Sequence, residues 1–422
     1  MAIDNKDKKI LKSSIEREQN ELACSAECEK IKGSKNLNVP LLRFPEFNGE
    51  WEKKRISEFC TLLKGTGISK DQLSTNGNPC ILYGELYTKY KAEIINEVLS
   101  RTELDANTLV KSKVNDVIIP CSGETAIDIA TARCVPFDDV LLGGDLNILR
   151  SNKVNGSFLA YQLNGKRKYD IARVAQGVSV VHLYGEHLKN IVISLPVIEE
   201  QQKISRLLHL LDERIASQNK IIEDLKKLKS AIVDKLYSSA KGETYSFRQL
   251  FEVVNEKNKK LIYSNVLSAS QELGMIERSD INIDIKFEQN SISEYKIVRK
   301  GDYVVHLRSF QGGFAFSDRT GICSPAYTIL HPNDLVAYGY LSHFFISKPF
   351  IKSLKLVTYG IRDGRSINVD EWLDMTVTLP TKREQSHILA IINAIDNKLH
   401  NENQIHNYMF RQRTYLLKTM FI

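Results

Sequence analysis

Residues Ile193-Ser-Leu-Pro-Val-Ile-Glu-Glu-Gln-Gln-Lys-Ile204 recur as Val377-Thr-Leu-Pro-Thr-Lys-Arg-Glu-Gln-Ser-His-Ile388, an offset of 184. The offset holds without a gap to residue 422: Asp212 meets Asp396, Asn219 meets Asn403, Lys229 meets Arg413 and Leu236-Tyr237 meet Met420-Phe421. A repeat at fixed spacing says that the chain is built twice from one plan, and it has to be read before any single element.

Both copies read as long helices. In the first, Ile204, Leu208, Leu211, Ile215, Ile222, Leu225, Ile232 and Leu236 recur in steps of three and four. The second shows Ile388, Ile392, Ile395, Leu399, Met409, Leu416 and Met420 in the same phase. Polar residues interrupt this heptad seam at matching places, Gln218 with Glu402 and Lys229 with Arg413. A narrow apolar stripe about 60 Å long does not stay single in water. It pairs either with its sister or with helices of other chains, and the intervening domain, which can carry the chain back, favours an antiparallel pairing with the sister. Leu195-Pro196 and Leu379-Pro380 forbid helix before each start, while Glu199, Glu200 and Glu384 put acid in the first turn, where the dipole favours it.

The stretches ahead of the helices are a second, more diverged half of the repeat. Each opens on a short amphipathic piece, Ile56-Ser-Glu-Phe59 or Arg248-Gln-Leu-Phe251, and continues in strand-like runs broken by glycine and polar turns. Asn115-Asp-Val-Ile-Ile119 corresponds to Gly301-Asp-Tyr-Val-Val305, and Tyr161–Ala175 and Tyr340–Leu356 each read as a later helix. The plan is a charged extension over 1–40, a head over 41–196, a central helix over 197–240, a second head over 241–380 and a last helix over 381–422.

The composition, 42% apolar and 26% charged in 422 residues, is that of folded domains. No apolar run reaches the ~18 residues of a membrane span, and the start lacks the apolar core of a signal peptide. Seven scattered cysteines form no framework and fit a reducing cytoplasm. The net charge of +7 is spread thin, so any contact with nucleic acid has to come from folded faces.

Catalytic patterns are missing. Gly65-Thr-Gly67-Ile-Ser-Lys70 has the spacing of neither a P-loop nor a dinucleotide loop. Cys24 and Cys28 have no further ligand nearby for zinc, and the histidines form no HExxH. Asn78-Pro79-Cys80 lacks the aromatic sequel of an amino-methyltransferase motif. Asp116 and Asp302, at strand entrances, read as solvated surface. What recurs instead is polar loops. The first head has Lys64, Thr66, Ser69 and Lys70; Tyr83, Glu85, Thr88 and Lys89; Ser122, Glu124 and Thr125; and Gln176 with Ser179. The second has Arg308, Ser309 and Gln311; Tyr327; and Tyr359, Arg362 and Arg365. Arginine matches guanine, glutamine matches adenine, glutamate accepts from cytosine, and lysine with Ser/Thr suits phosphate. Any one loop reads equally as a polar turn; their recurrence in two heads favours DNA.

Leu-Pro-x-x-x-Glu-Gln followed by a heptad helix, twice, resembles the specificity subunit of type I restriction-modification enzymes. Leu41-Leu-Arg-Phe-Pro-Glu-Phe-Asn-Gly-Glu-Trp51, Ser122-Gly-Glu-Thr125 and Ser324-Pro-Ala-Tyr327 resemble it too, so the likeness covers about residues 39–422. Residues 1–38 depart from that family's short start. The resemblance implies an α+β fold: two target-recognition domains, each a mixed β-sheet with helices, separated by two long antiparallel coiled-coil helices in a pseudo-twofold repeat. It implies a non-catalytic subunit whose domains each read half of a split duplex-DNA site. The helix pair then sets the spacer and docks two methyltransferase subunits, with motor-nuclease subunits joining for cleavage. No cofactor is expected in this chain; S-adenosylmethionine, ATP and Mg²⁺ belong to those partners. Two other classes stay open on the residues alone, a stand-alone DNA-modifying enzyme and a coiled-coil scaffold.

Overall fold

The computed structural model describes residues 38–177, 180–270, 273–278, 289–306, 313–359 and 366–422. The charged extension up to residue 37, with Cys24 and Cys28, lies outside them. The chain divides into two compact units. One joins residues 30–220 to 403–422, and the other contains residues 221–402. The division cuts both long helices, Ile198–Ser238 and Lys382–Thr419, because each half-helix buries its apolar side in the unit that holds the neighbouring head.

In the first unit the head closes on itself through an antiparallel pair, Glu52–Arg55 against Val192–Leu195, in the register Glu52↔Leu195. A four-stranded antiparallel sheet follows in the order Thr61–Lys64, Leu146–Arg150, Asp116–Pro120, Arg133–Val135. A second sheet of four short strands includes the parallel pairing of Asn78–Ile81 with Leu141–Leu142. The strand Asp116–Pro120 is buried along its whole length, as a strand covered on both faces must be. Trp51, Val117, Ile119, Phe158 and Ile193 share one core with Ile204, Leu208 and Leu211 of the central helix and Leu416, Met420 and Phe421 of the last helix. At about 1.5–3 kcal/mol for each large apolar side chain buried, the helix ends are held as firmly as the strands.

The second unit repeats this plan. Glu243–Ser246 pairs with Thr376–Leu379 in the register Glu243↔Leu379. Its sheet runs Phe251–Val254, Thr328–Pro332, Tyr303–Val305, Phe314–Phe316, the same order of equivalent strands. The core is aromatic: Phe247 stacks on Trp372 at 4.4 Å and 9°, with Phe251, Phe314 and Phe345 around them. Val233, Ile388 and Ile392 of the long helices complete it.

None of the fifteen apolar seam residues read from the heptads is exposed. Two of the polar interruptions are ion pairs between the helices: Lys229 to Asp396 at 2.5 Å in the second unit, and Arg413 to Asp212 at 2.5 Å in the first. The residue numbers add to 625 in both, as antiparallel helices in one register require. The two pairs are images of each other under the 184-residue offset. The α+β fold with its antiparallel helix pair is therefore present.

Four expectations need correction. Tyr161–Ala175 is not one helix but part of two, Gly156–Asn164 and Lys168–Val174, because Gly165 ends the first by donating to the Tyr161 carbonyl at 2.9 Å. Tyr340–Leu356 likewise breaks into Tyr340–Phe344 and Lys348–Ser353 with a 3₁₀ turn after it, since Ser347 caps a new helix with Pro349 in its first turn. Asp116 and Asp302 are not solvated: both are 1% exposed. Arg150 donates to Asp116 through two nitrogens, and the His331 ring sits 2.7 Å from Asp302. Each carboxylate also accepts from the backbone three residues earlier, Lys113 or Arg299. A buried carboxylate needs such partners, and the side-chain ones, Arg150 and His331, come from strands distant in sequence. The short amphipathic piece read over Arg248–Phe251 is a helix one residue earlier, Phe247–Leu250, because Ser246 caps it.

Candidate nucleic-acid interface

The repeated Glu-Gln pair anchors each head to its helix. Gln201 is buried; its amide donates to the Pro196 carbonyl at 2.8 Å and accepts from the Asn155 backbone at 3.0 Å. Gln385 does the same with Pro380 at 2.9 Å and Ala337 at 2.7 Å, and also donates to Leu335. Glu200 and Glu384 part company. Glu384 closes a capping box with Thr381, whereas Glu200 is fully buried and takes both Nε and Nη2 of Arg43, at 2.8 and 2.7 Å. Arg43 belongs to the segment Leu41–Trp51, which is tied to the last helix by Leu42 donating to the Thr419 carbonyl at 3.0 Å.

With the scaffold held this way, several loops of the first head meet at one end of its main sheet, where Lys64, Pro120 and Leu146 stand at strand ends. Ser122–Gly123 pairs with Val181–His182. Tyr87 donates to the Ser122 carbonyl at 2.8 Å, and the Ser122 hydroxyl donates to Asp145 at 3.2 Å. Gly65 passes so close to Gly143 that a Cβ there would lie 2.0 Å from its carbonyl oxygen. This glycine serves packing inside the head.

The structure distributes the loop residues named from sequence. Lys64, Ser69, Lys70, Tyr83, Thr88, Lys89, Glu124, Thr125 and Gln176 are exposed. Glu85 is buried and occupied: Lys89 at 2.6 Å, the Ser100 hydroxyl and the Leu82 amide all donate to it. Thr66 accepts from the Val110 amide at 2.9 Å, Thr88 donates to the Gly84 carbonyl, and Thr125 caps the helix Ala126–Ile129. Ser122 is buried. In the second head Tyr327 is half-buried, its ring 5.3 Å from that of His306. Tyr359 ends the strand Thr358–Tyr359, which pairs with Ser366–Ile367. Ser179, Arg308, Ser309, Gln311, Arg362 and Arg365 lie outside the described residues.

Among the described residues no three acidic, histidine or cysteine side chains gather as metal ligands, and no described helix is long and apolar enough to cross a membrane. Burial pushes the Cys80, Cys121 and Cys134 thiols up to about 11, away from the thiolate that nucleophilic chemistry needs. The exposed groups at this sheet end include Lys64, Glu124, Thr125 and Gln176, side chains that can donate or accept hydrogen bonds.

Residues 48–227 match the type I restriction modification DNA specificity domain. A specificity subunit of the type I restriction enzyme MjaVIII from Methanocaldococcus jannaschii is 24% identical over 387 residues, 84% of this chain and 88% of that protein. The type I restriction-modification S subunit from M. genitalium covers 91% of this chain and 99% of its own, at 16% identity and a TM-score of 0.55. A structure described for complex assembly and conformational transition of the type I R-M system covers 88% and 97%, at 15% and 0.56. These two show the fold. The duplicated α+β plan with paired helices is the fold those two structures share with this chain. Over most of its length the chain is similar to specificity subunits of type I restriction enzymes, and its first half matches their specificity domain.

Proposed function

We propose that each head reads one half of a split duplex-DNA site, that the helix pair sets the distance between the halves, and that catalysis belongs to partner subunits in the cytoplasm. One observation carries this reading. The strand pair that closes each head, the glutamine clamp, the strand order and one ion pair between the helices recur in both copies, while the loop sequences of the heads differ. Conserved mounting with divergent loops suits two unlike half-sites held at one spacing. A helix of 41 residues, about 60 Å long, is comparable to about one and a half turns of duplex at ~3.4 Å per base pair.

Docking of two methyltransferase subunits on the helices finds support in exposed apolar residues. Ile221 and Ile405, at equivalent positions of the repeat, are 46% and 41% exposed, and Leu228, Tyr408 and Tyr415 extend the same helical phase. Equivalent patches fit two copies of one partner. Motor-nuclease subunits, and S-adenosylmethionine, ATP and Mg²⁺, complete the proposed complex without a site in this chain.

Co-expression with a cognate methyltransferase subunit, followed by genome-wide mapping of modified bases, tests the reading. The expected result is a two-part motif with a constant unread spacer, and no methyl transfer by the purified chain alone. A continuous motif, or transfer by the lone chain, overturns it.

A further inference from the structure

Gln176 and His182 face each other across a short antiparallel bridge: the Gln176 amide donates to the His182 carbonyl at 2.9 Å, and the His182 amide donates back at 2.7 Å. Directly opposed residues project to one face. Tyr184, two residues on in extended backbone, projects to that same face, and its ring lies 6.3 Å from that of His182 at 29°. Gln176 and His182 are exposed and Tyr184 is 54% exposed, while Val181 and Leu183 between them are buried.

This row is anchored on every side. Leu183 donates to the Cys121 carbonyl at 2.7 Å, and the Asn147 amide donates to the Leu183 carbonyl at 2.9 Å. His187 meets the Tyr184 ring edge-on at 5.7 Å. Gly177 stands at φ +123°, where a Cβ would lie 2.1 Å from the Val180 carbonyl oxygen. Among the described residues, neither the Gln176 side-chain amide, the His182 ring nor the Tyr184 hydroxyl has a hydrogen-bond partner. Exposed aromatic and amide groups on a rigid ribbon, with polar atoms left open, are what a recognition edge requires.

We propose that Gln176, His182 and Tyr184 form a base-reading edge of the first head; this rests on the reading that the head binds DNA. An amide, an imidazole and a phenol offer directional donors, acceptors and flat faces, which match base edges. Glutamine and tyrosine also donate to phosphate, but losing such a contact weakens binding without relaxing base discrimination, which the mapping below separates. The glutamine amide matches the N6 and N7 edge of adenine, and an aromatic face matches a thymine methyl. The ribbon is continuous with Ser122–Gly123 and the exposed Glu124 and Thr125, so the edge lies within the loop cluster described above.

The test uses the full chain co-expressed with its methyltransferase subunit. Gln176→Ala, His182→Ala, Tyr184→Ala and Tyr184→Phe are compared by mapping modified sites and by thermal unfolding. Discrimination at one or more positions of the first half-site is expected to fall about tenfold or more, with the second half-site, the spacer and the melting profile unchanged. Tyr184→Phe keeps the ring and separates lost hydroxyl contact from lost packing, should Tyr184→Ala unfold. If every folded variant retains wild-type discrimination while the wild-type complex still yields a two-part motif, the edge is refuted and the function stands. If the wild-type complex yields no two-part motif, both fall.

Discussion

Arg413 of the last helix donates through Nε to Asp212 of the central helix at 2.5 Å, and through Nη2 to Glu93 of the first head. The Tyr161 hydroxyl donates to the other oxygen of Asp212 at 2.7 Å. One guanidinium thus ties two helices and a head together in a largely buried cluster. Its image in the second unit, Lys229 with Asp396, is a single pair, with the two side chains 22% and 38% exposed.

Unequal burial predicts unequal cost. Arg413→Ala leaves two nearly buried carboxylates without their cation and is expected to destabilise the first unit by about 3–5 kcal/mol. Lys229→Ala opens a pair that water partly reaches and is expected to cost about 1 kcal/mol or less. Denaturant unfolding of the purified full chain measures both; equal losses contradict the difference.

Gln201→Leu and Gln385→Leu preserve size but remove the clamp between head and helix. Each leaves a buried proline carbonyl and a backbone amide unpaired, at about 1–3 kcal/mol per group. Hydrogen exchange is expected to speed up at Asn155 in the first variant and at Ala337 in the second. Unchanged protection at those amides argues against the clamp.

His343 supplies a pH dependence. Burial, reinforced by Lys229 and opposed by Asp396, lowers its pKa to about 4. The unfolded chain, with its ordinary value near 6.5, then binds more protons between these limits, so stability falls as pH drops through that window. His343→Leu is expected to flatten this part of the stability curve of the second unit; an unaltered slope contradicts the assignment.

Burial also governs the cysteines. Cys60 and Cys323 are pushed up to about 12, and Cys80, Cys121 and Cys134 to about 11. A thiol-specific reagent at neutral pH is expected to leave these five unmodified in the folded chain and to reach them on denaturation. Mass spectrometry locates the labelled residues, and native labelling at any of the five counts against the core packing.

The proposed ruler makes a genetic prediction. Adding or removing residues around Ser238–Glu243 changes the unread spacer in the modified motif and leaves both half-sites intact. A spacer that stays constant removes the helix pair from that role.

The long helices were legible because a seam one or two residues wide writes a period into the sequence, and because duplication wrote it twice. Buried Gln218 and paired Lys229 and Arg413 appeared only as interruptions, since periodicity marks a position without naming its partner. Among the loops, Gln176 was visible as a polar turn, but His182 and Tyr184 were not, although Val181 to Tyr184 alternate buried and exposed. Four residues of alternation are too few to separate a recognition ribbon from an ordinary edge. Glu85 had the right chemistry for a base contact, yet Lys89 and Ser100 occupy it.

The sequence by itself therefore determined the doubled plan and the apolar seam of each long helix, because these depend on local periodicity and on spacing along the chain; the pairing of the helices and its register came from the structure. The tertiary structure alone decided which polar groups are occupied inside the protein and which face outward. Asp116 meets Arg150, Glu200 meets Arg43 and Asp212 meets Arg413 across distances in sequence that no local pattern records. Burial makes such meetings obligatory for a charge, but only the folded arrangement of strands and helices chooses the partner.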